Sequence, residues 1–163
     1  MKTAVCAGSF DPVTLGHLDV ICRAAELFDQ VYVCAVVNSE KSHGLFTPQQ
    51  RLCLLKKALQ HLPNVSAEQY GGLVADYARE RQADVLVRGI RGAGDAGDEL
   101  LMAQVNYDLG GMDTVLFPAR KEHVYLSSTV VRELLQHGAD LRPYVPETIL
   151  EDIQIFWDSN KRK

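Results

Sequence analysis

Short β-branched runs alternate along the chain with longer amphipathic stretches. Apolar runs bounded by polar or turn residues predict strands at Thr3–Ala7, Gln30–Val37, Val65–Gln69, Val85–Arg88 and Thr114–Phe117. Between and after them, helical periodicity predicts helices at Gly16–Leu27, Pro48–Leu62, Leu73–Arg81, Asp95–Leu109, Thr129–His137 and Pro146–Trp157. The second helix has the clearest start: Thr47 caps it, Pro48 opens it, and Gln50 stands third, as a capping box requires. Gly138 follows the fifth, where a left-handed terminating residue belongs. Strands alternating with helices of this length imply a parallel sheet covered on both faces. The expected fold is therefore α/β: a single Rossmann-like, doubly wound domain with a five-stranded parallel sheet and helices on both faces. Residues 157–163, ending Asn160-Lys161-Arg162-Lys163, read as a frayed basic tail.

Composition narrows the picture. The 163 residues are 47% hydrophobic, ample for a core, and carry 17 Lys plus Arg against 21 Asp plus Glu, a net charge of −4. Such acidity argues against broad nucleic-acid binding, yet leaves room for a small anion gripped by a few converging cations. The longest apolar run, Val31–Val37, is far short of the roughly 20 residues that span a bilayer. The amino-terminal stretch lacks a secretory pattern, and a cytoplasmic protein is expected. Cys6, Cys22, Cys34 and Cys53 sit among apolar residues without a Cys-x-x-Cys pair, which predicts buried reduced thiols. The histidines at 17, 43, 61, 123 and 137 show no metal-ligand spacing.

In doubly wound sheets, ligands bind beyond the carboxyl ends of the strands, so the candidate chemistry lies in the segments after each strand. After the first comes Gly8-Ser9-Phe10-Asp11-Pro12-Val13-Thr14-Leu15-Gly16-His17, opening a helix. A helix start offers free N–H donors and partial positive charge, which suit phosphate; His17 there can donate to a phosphoryl oxygen or simply cap the helix. After the second comes Asn38-Ser39-Glu40-Lys41-Ser42-His43-Gly44, whose single lysine is an ordinary solvated charge unless it turns back toward the strand ends. After the fourth, Arg88-Gly89-Ile90-Arg91 follows a buried apolar run, and a guanidinium at that depth calls for an anionic partner. After the fifth, Ser127-Ser128-Thr129 places three hydroxyls at a helix start, where capping needs one.

Two familiar patterns are absent. Gly92-Ala93-Gly94-Asp95-Ala96-Gly97 matches G-x-G-x-x-G literally, but no strand runs straight into it and no acidic residue ends the next strand, so a nicotinamide or flavin site is rejected. No P-loop motif occurs. Phosphate-suited groups at several junctions, without an evident nucleophile–base pair, point to positioning and charge neutralisation around a polyphosphate.

Gly8-Ser9-Phe10-Asp11-Pro12 with Thr14-Leu15-Gly16-His17 resembles the T/H-x-G-H signature of the nucleotidyltransferases, and Leu126-Ser127-Ser128-Thr129-Val130-Val131-Arg132 resembles their I-S-S-T-x-x-R signature. With Lys41 and Arg88-Gly89-Ile90-Arg91, the order and spacing resemble the bacterial phosphopantetheine adenylyltransferases over nearly the whole chain. The resemblance implies transfer of AMP from ATP, with Mg²⁺, to 4′-phosphopantetheine, giving dephospho-coenzyme A and pyrophosphate without a covalent enzyme intermediate. It implies that His17, Lys41 and Arg91 carry the chemistry and that Ser9 and Phe10 meet ligand at the first turn. By the same likeness Lys41 and Arg88 hold the acceptor phosphate, while Gly89, Ile90, Arg91 and Glu99 contact the nucleotide. His123, Val124, Tyr125, Leu126, Ser127, Ser128 and Thr129 then form the adenine and β/γ-phosphate site, and Leu73, Val74, Met102 and Asn106 line the pantetheine arm. No residue is assigned as a metal ligand. A homohexamer and coenzyme A as feedback inhibitor are expected by family likeness, with neither nucleic acid nor membrane as a partner.

The chain departs from that family at Ser42, after Lys41, and at Ala96-Gly97-Asp98 before Glu99, where glycine weakens a helical turn. Two alternatives stand beside the adenylyltransferase. One is a nucleotidyltransferase for another acceptor, such as nicotinamide mononucleotide. The other is a non-catalytic nucleotide-binding protein, a flavodoxin-like module being its plainest form.

Overall fold

The structure is a computed structural model that describes residues 1–37 and 44–162. Its elements run β1 (Thr3–Gly8), α1 (Leu15–Leu27), β2 (Gln30–Val36), α2 (Pro48–Leu59), β3 (Val65–Tyr70), α3 (Val74–Glu80), β4 (Val85–Ile90), α4 (Ala93–Gly110), β5 (Asp113–Pro118), α5 (Ser128–Gln136) and α6 (Leu150–Lys161). Single 3₁₀ turns, Lys121–His123 and Glu147–Ile149, precede the last two helices.

The five strands form one sheet in the order β3-β2-β1-β4-β5, every pairing parallel. Successive residues of β1 alternate between two apolar layers. Ala4 and Cys6 face a larger cluster with Ile21, Leu54, Val131 and Ile153, whereas Val5 and Ala7 face Tyr77, Ala78 and Met112. A strand apolar on both faces belongs inside a sheet sandwiched by helices, as the continuous runs predicted. The chain reverses its direction of travel at β1, with β2 on one side and β4 on the other. Between β1 and β4 only Ala4↔Val85, Val5↔Leu86 and Cys6↔Val87 are in register, whereas β1 and β2 pair through Gly8↔Ala35. The sheet therefore parts at the carboxyl ends of β1 and β4, at the switch point where a ligand crevice is expected.

Several boundaries differ from the sequence expectation. Helix α2 stops at Leu59 rather than Leu62, and α4 begins at Ala93, ahead of the expected Asp95. Through Lys161 the carboxyl-terminal stretch is helical rather than frayed. Helix α6 continues to Lys161, whose ammonium sits 4.4 Å from the Trp157 ring centroid. Asn160 Nδ2 donates to the Leu45 carbonyl and to Gln50 Oε1, both at 3.0 Å. The stretch looked solvated because its charges outnumber its apolar groups, but a cation over an indole and an anchored amide hold it. Cys53 is exposed and Cys22 half-buried rather than buried, whereas Cys6 and Cys34 are buried as expected.

Candidate active site

Helix α1 starts with a capping box in which histidine takes the place of the usual Glu or Gln. The His17 N–H donates to Thr14 Oγ1 at 3.3 Å, and the Thr14 N–H donates to His17 Nδ1 at 3.1 Å. Because Nδ1 accepts a backbone proton, the neutral imidazole carries its own proton on Nε2. Burial, then the positive charges of Arg88 and Arg91, pulls the His17 pKa down to about 4. At neutral pH this ring is an uncharged donor. The Phe10 ring meets it edge-on, 5.1 Å between centroids and 75° between planes. Phe10 itself has φ of 45°, a left-handed backbone that costs a bulky residue about 1–2 kcal/mol and is sustained by burying the ring in the larger core. The ring that caps α1 through Nδ1 thus keeps its proton on Nε2.

His17 lines a cleft of about 330 Å³ at the parting of β1 and β4. The cleft gathers Ser9 and Phe10 from the first turn, Arg88, Gly89 and Arg91 from the end of β4, and Glu99 from α4. His123, Leu126, Ser127, Ser128 and Thr129 complete its far wall. Of the other expected site residues, Ile90, Val124, Tyr125, Leu73, Val74, Met102 and Asn106 do not line it. Leu73 precedes α3, Met102 and Asn106 lie along α4, and Tyr125 is exposed. Val74 packs against the smaller core layer. Lys41 and Ser42 lie outside the described residues.

The three hydroxyls after β5 have separate partners. Ser127 caps α5 by accepting from the Val130 N–H, Ser128 Oγ donates to the Pro12 carbonyl at 2.8 Å, and Thr129 Oγ1 accepts from Arg132. Arg132 also donates to the Asp11 carbonyl at 2.9 Å. Asp11 is buried; its carboxylate accepts from the Leu45 and Phe46 N–H groups at 2.9 Å and pairs with Arg51. The two signature segments are thereby bound to each other through Pro12 and Asp11.

The cations of the cleft are not bare. Arg88 Nε and Nη2 donate to the two Glu99 oxygens at 2.7 and 2.6 Å, and Nη1 donates to the Ala7 carbonyl. The hydrogen bonds to Glu99 push the Arg88 pKa further up. Arg91 binds Asp95 through both Nε and Nη2 and reaches the Leu126 carbonyl; those bonds hold the Asp95 carboxyl below its usual range. Burial drives the Cys6 thiol at the cleft floor up to about 12, too high for a thiolate nucleophile. His123 Nδ1 is buried without a hydrogen-bond partner among the described residues, an unsatisfied group in the cleft wall that an incoming polar ligand would complete.

Arg132, Asp95 and Asp11 escaped the sequence-based selection of site residues. Arg132 stands inside the second signature, which carried its signal, and Asp95 lies four residues after Arg91, a spacing that could have shown their pairing. Asp11 stands inside the first signature, but nothing local marked its partners, which are 34 to 121 positions away. Among the described residues no three His, Cys, Asp or Glu side chains converge as a metal cage. No helix among the described residues is long and apolar enough to cross a membrane.

Comparison with known proteins matches this architecture. The cytidylyltransferase-like family model aligns with residues 5–134, which span both signatures. The phosphopantetheine adenylyltransferase of Psychromonas ingrahamii is 43% identical, the match covering 98% of this chain and 99% of that protein. Those of Corynebacterium diphtheriae and Actinobacillus pleuropneumoniae serotype 3 are 42% and 46% identical over 91% of this chain and 94% of theirs. A solved structure from Vibrio parahaemolyticus, provisionally assigned as a nicotinate-nucleotide adenylyltransferase, superposes with a TM-score of 0.68 at 22% identity, covering 93% of this chain and 91% of that one. That likeness speaks to fold alone. The chain belongs to the cytidylyltransferase-like family and, within it, to the phosphopantetheine adenylyltransferases.

Proposed function

We propose that this protein transfers the adenylyl group of ATP to 4′-phosphopantetheine, forming dephospho-coenzyme A and pyrophosphate. The observation that carries this reading is the meeting of His17, Arg88, Arg91 and the Ser127–Thr129 helix start in one cleft. An oxygen of the acceptor phosphate attacks the α-phosphorus, the new P–O bond forms, and the bond to the β-phosphate oxygen breaks to release pyrophosphate. A phosphate monoester has its second pKa near ~6, so the nucleophile is already ionised at neutral pH and no general base is required. The neutral His17 Nε2–H donates to a non-bridging α-phosphate oxygen as charge builds there, a contact stronger in the transition state than before it. Arg91, with the α5 start, receives the β- and γ-phosphates, and Arg88 with Lys41 receives the acceptor phosphate.

Mg²⁺ bound to the triphosphate would supply positive charge to offset that of the pyrophosphate leaving group. Exposed Leu73 and Met102, with Val74 and Asn106, are proposed to meet the pantetheine arm. Coenzyme A, which shares that arm and the adenylyl group, is proposed as a feedback inhibitor at the same cleft. We place the reaction in the cytoplasm and assign the exposed apolar stripe of α4 to contacts between copies in a homohexamer.

The test is pyrophosphate release from purified protein, measured with ATP alone, 4′-phosphopantetheine alone, and both. Release only with both is expected. Turnover with nicotinamide mononucleotide instead would overturn the acceptor assignment while keeping the reaction class, and ATP binding without turnover would leave a binding protein.

A further inference from the structure

Three arginines of the described residues, Arg88, Arg91 and Arg132, line a cleft proposed to take a triphosphate and a phosphate monoester, yet two carboxylates line it too. Asp95 and Glu99 stand four residues apart and so share one face of α4, each closed bidentately on an arginine from the end of β4. A planar carboxylate on a guanidinium fork presents two anionic oxygens in the same geometry that a phosphate would. Glu99 therefore occupies on Arg88 the place of an incoming anion. The pair is within reach of one: the Arg88 side chain is 38% exposed and faces the cleft, whereas Glu99 is 16% exposed. Beside these two pairs, α4 is an 18-residue helix with no buried residue, and its amino end at Gly92 carries no side-chain cap.

We infer that Glu99 is a displaceable internal counter-ion of Arg88, which an acceptor phosphate must evict before it can bind. This rests on the reading of Arg88 as the acceptor-phosphate site. The carboxylate is tethered and cannot diffuse away, so it competes at a fixed effective concentration. The apparent affinity for phosphate is the intrinsic affinity multiplied by the fraction of time Arg88 is free. A weakly charged anion fails to displace it, whereas a dianionic phosphate monoester gains more from the guanidinium than a carboxylate does. Glu99 thus selects for the doubly ionised acceptor, and its eviction loosens the amino-terminal half of α4 from the rim.

The experiment measures the dissociation constant of inorganic phosphate by calorimetry at pH 7.5 for the wild type, Glu99→Gln, Glu99→Asp and the double variant Glu99→Gln/Arg88→Met. If Glu99 holds Arg88 about nine-tenths of the time, Glu99→Gln binds phosphate about tenfold more tightly. Glu99→Asp, one methylene too short for the bidentate contact, tightens it less, and the double variant loses the gain. Unchanged or weaker phosphate binding in Glu99→Gln overturns the inference, as does a gain that survives loss of Arg88. If Glu99→Gln does not fold, Glu99→Asp decides by the same criterion. Tighter phosphate binding without adenylyl transfer by the wild type sinks the functional reading and leaves the exchange standing; transfer without tightening sinks the exchange alone.

Discussion

His17 is held by the hydrogen bonds that start its helix, and its proton is thereby assigned to the nitrogen left for the cleft. On the proposed mechanism, substitution by Ala removes a donor that acts as the transition-state charge develops. The expected loss is about 10²–10³-fold in kcat, with the ATP dissociation constant nearly unchanged, checked by steady-state assay beside calorimetry. A pH effect on stability follows from the same group. Its folded pKa of about 4 lies below the ordinary 6.5, so between these values the unfolded chain binds more protons than the folded one. Stability from this source is present above pH 6.5 and is lost as the pH falls toward 4, on the order of 1–3 kcal/mol. Urea titrations of the wild type and His17→Gln at pH 7 and pH 5 check the sign: the wild type loses more over this interval than the variant. At this scale His17 was legible in the sequence as phosphate donor or cap, and the structure shows the cap; that a histidine completes the box was not legible, because a capping box is ordinarily read from Glu or Gln.

Thr47 and Gln50 do at α2 what the sequence predicted, exchanging side-chain and backbone hydrogen bonds at 2.9 and 3.2 Å. Thr47→Ala should cost about 1 kcal/mol in a denaturant titration without altering catalytic rate, since α2 lies away from the cleft. Gly89 carries a different constraint. A Cβ there would stand 2.8 Å from Val20 Cγ2, so the missing side chain lets α1 lie close against β4 beside His17. Gly89→Ala is expected to lower stability by about 1–3 kcal/mol and to reduce kcat as well, whereas a change in stability alone would show that α1 relaxes without disturbing His17. Helix ends with a cap residue and a glycine stop were readable, as Gly138 with φ of 69° confirms. The start of α4 was not. Its Gly92 cap makes no side-chain hydrogen bond, and Gly94 and Gly97 lower helix propensity where packing and the two arginine pairs decide the outcome.

On the scale of the molecule, the parallel sheet and the crevice beyond its strand ends were legible because β1, β2 and β4 carry continuous apolar runs and each junction falls at the same edge of the sheet; the order of the strands was not. The charge state of that crevice was not, since pairing Arg88 with Glu99 depends on the phase of α4 relative to β4. Leu101, Val105 and Leu109 recur at four-residue spacing on α4, 64%, 38% and 47% exposed. If copies of the chain cover this stripe, light scattering after size exclusion finds an oligomer for the wild type, and Leu101→Glu with Val105→Glu shifts it toward the monomer mass. A further consequence belongs to the far end of the chain. Asn160 grips Leu45 and Gln50, next to Phe46, whose N–H rests on Asp11. The terminal helical turn therefore works as a clasp on the first signature. Carboxypeptidase trimming that removes Asn160 should slacken nucleotide binding, although the cut lies far along the polypeptide from every group that meets ATP.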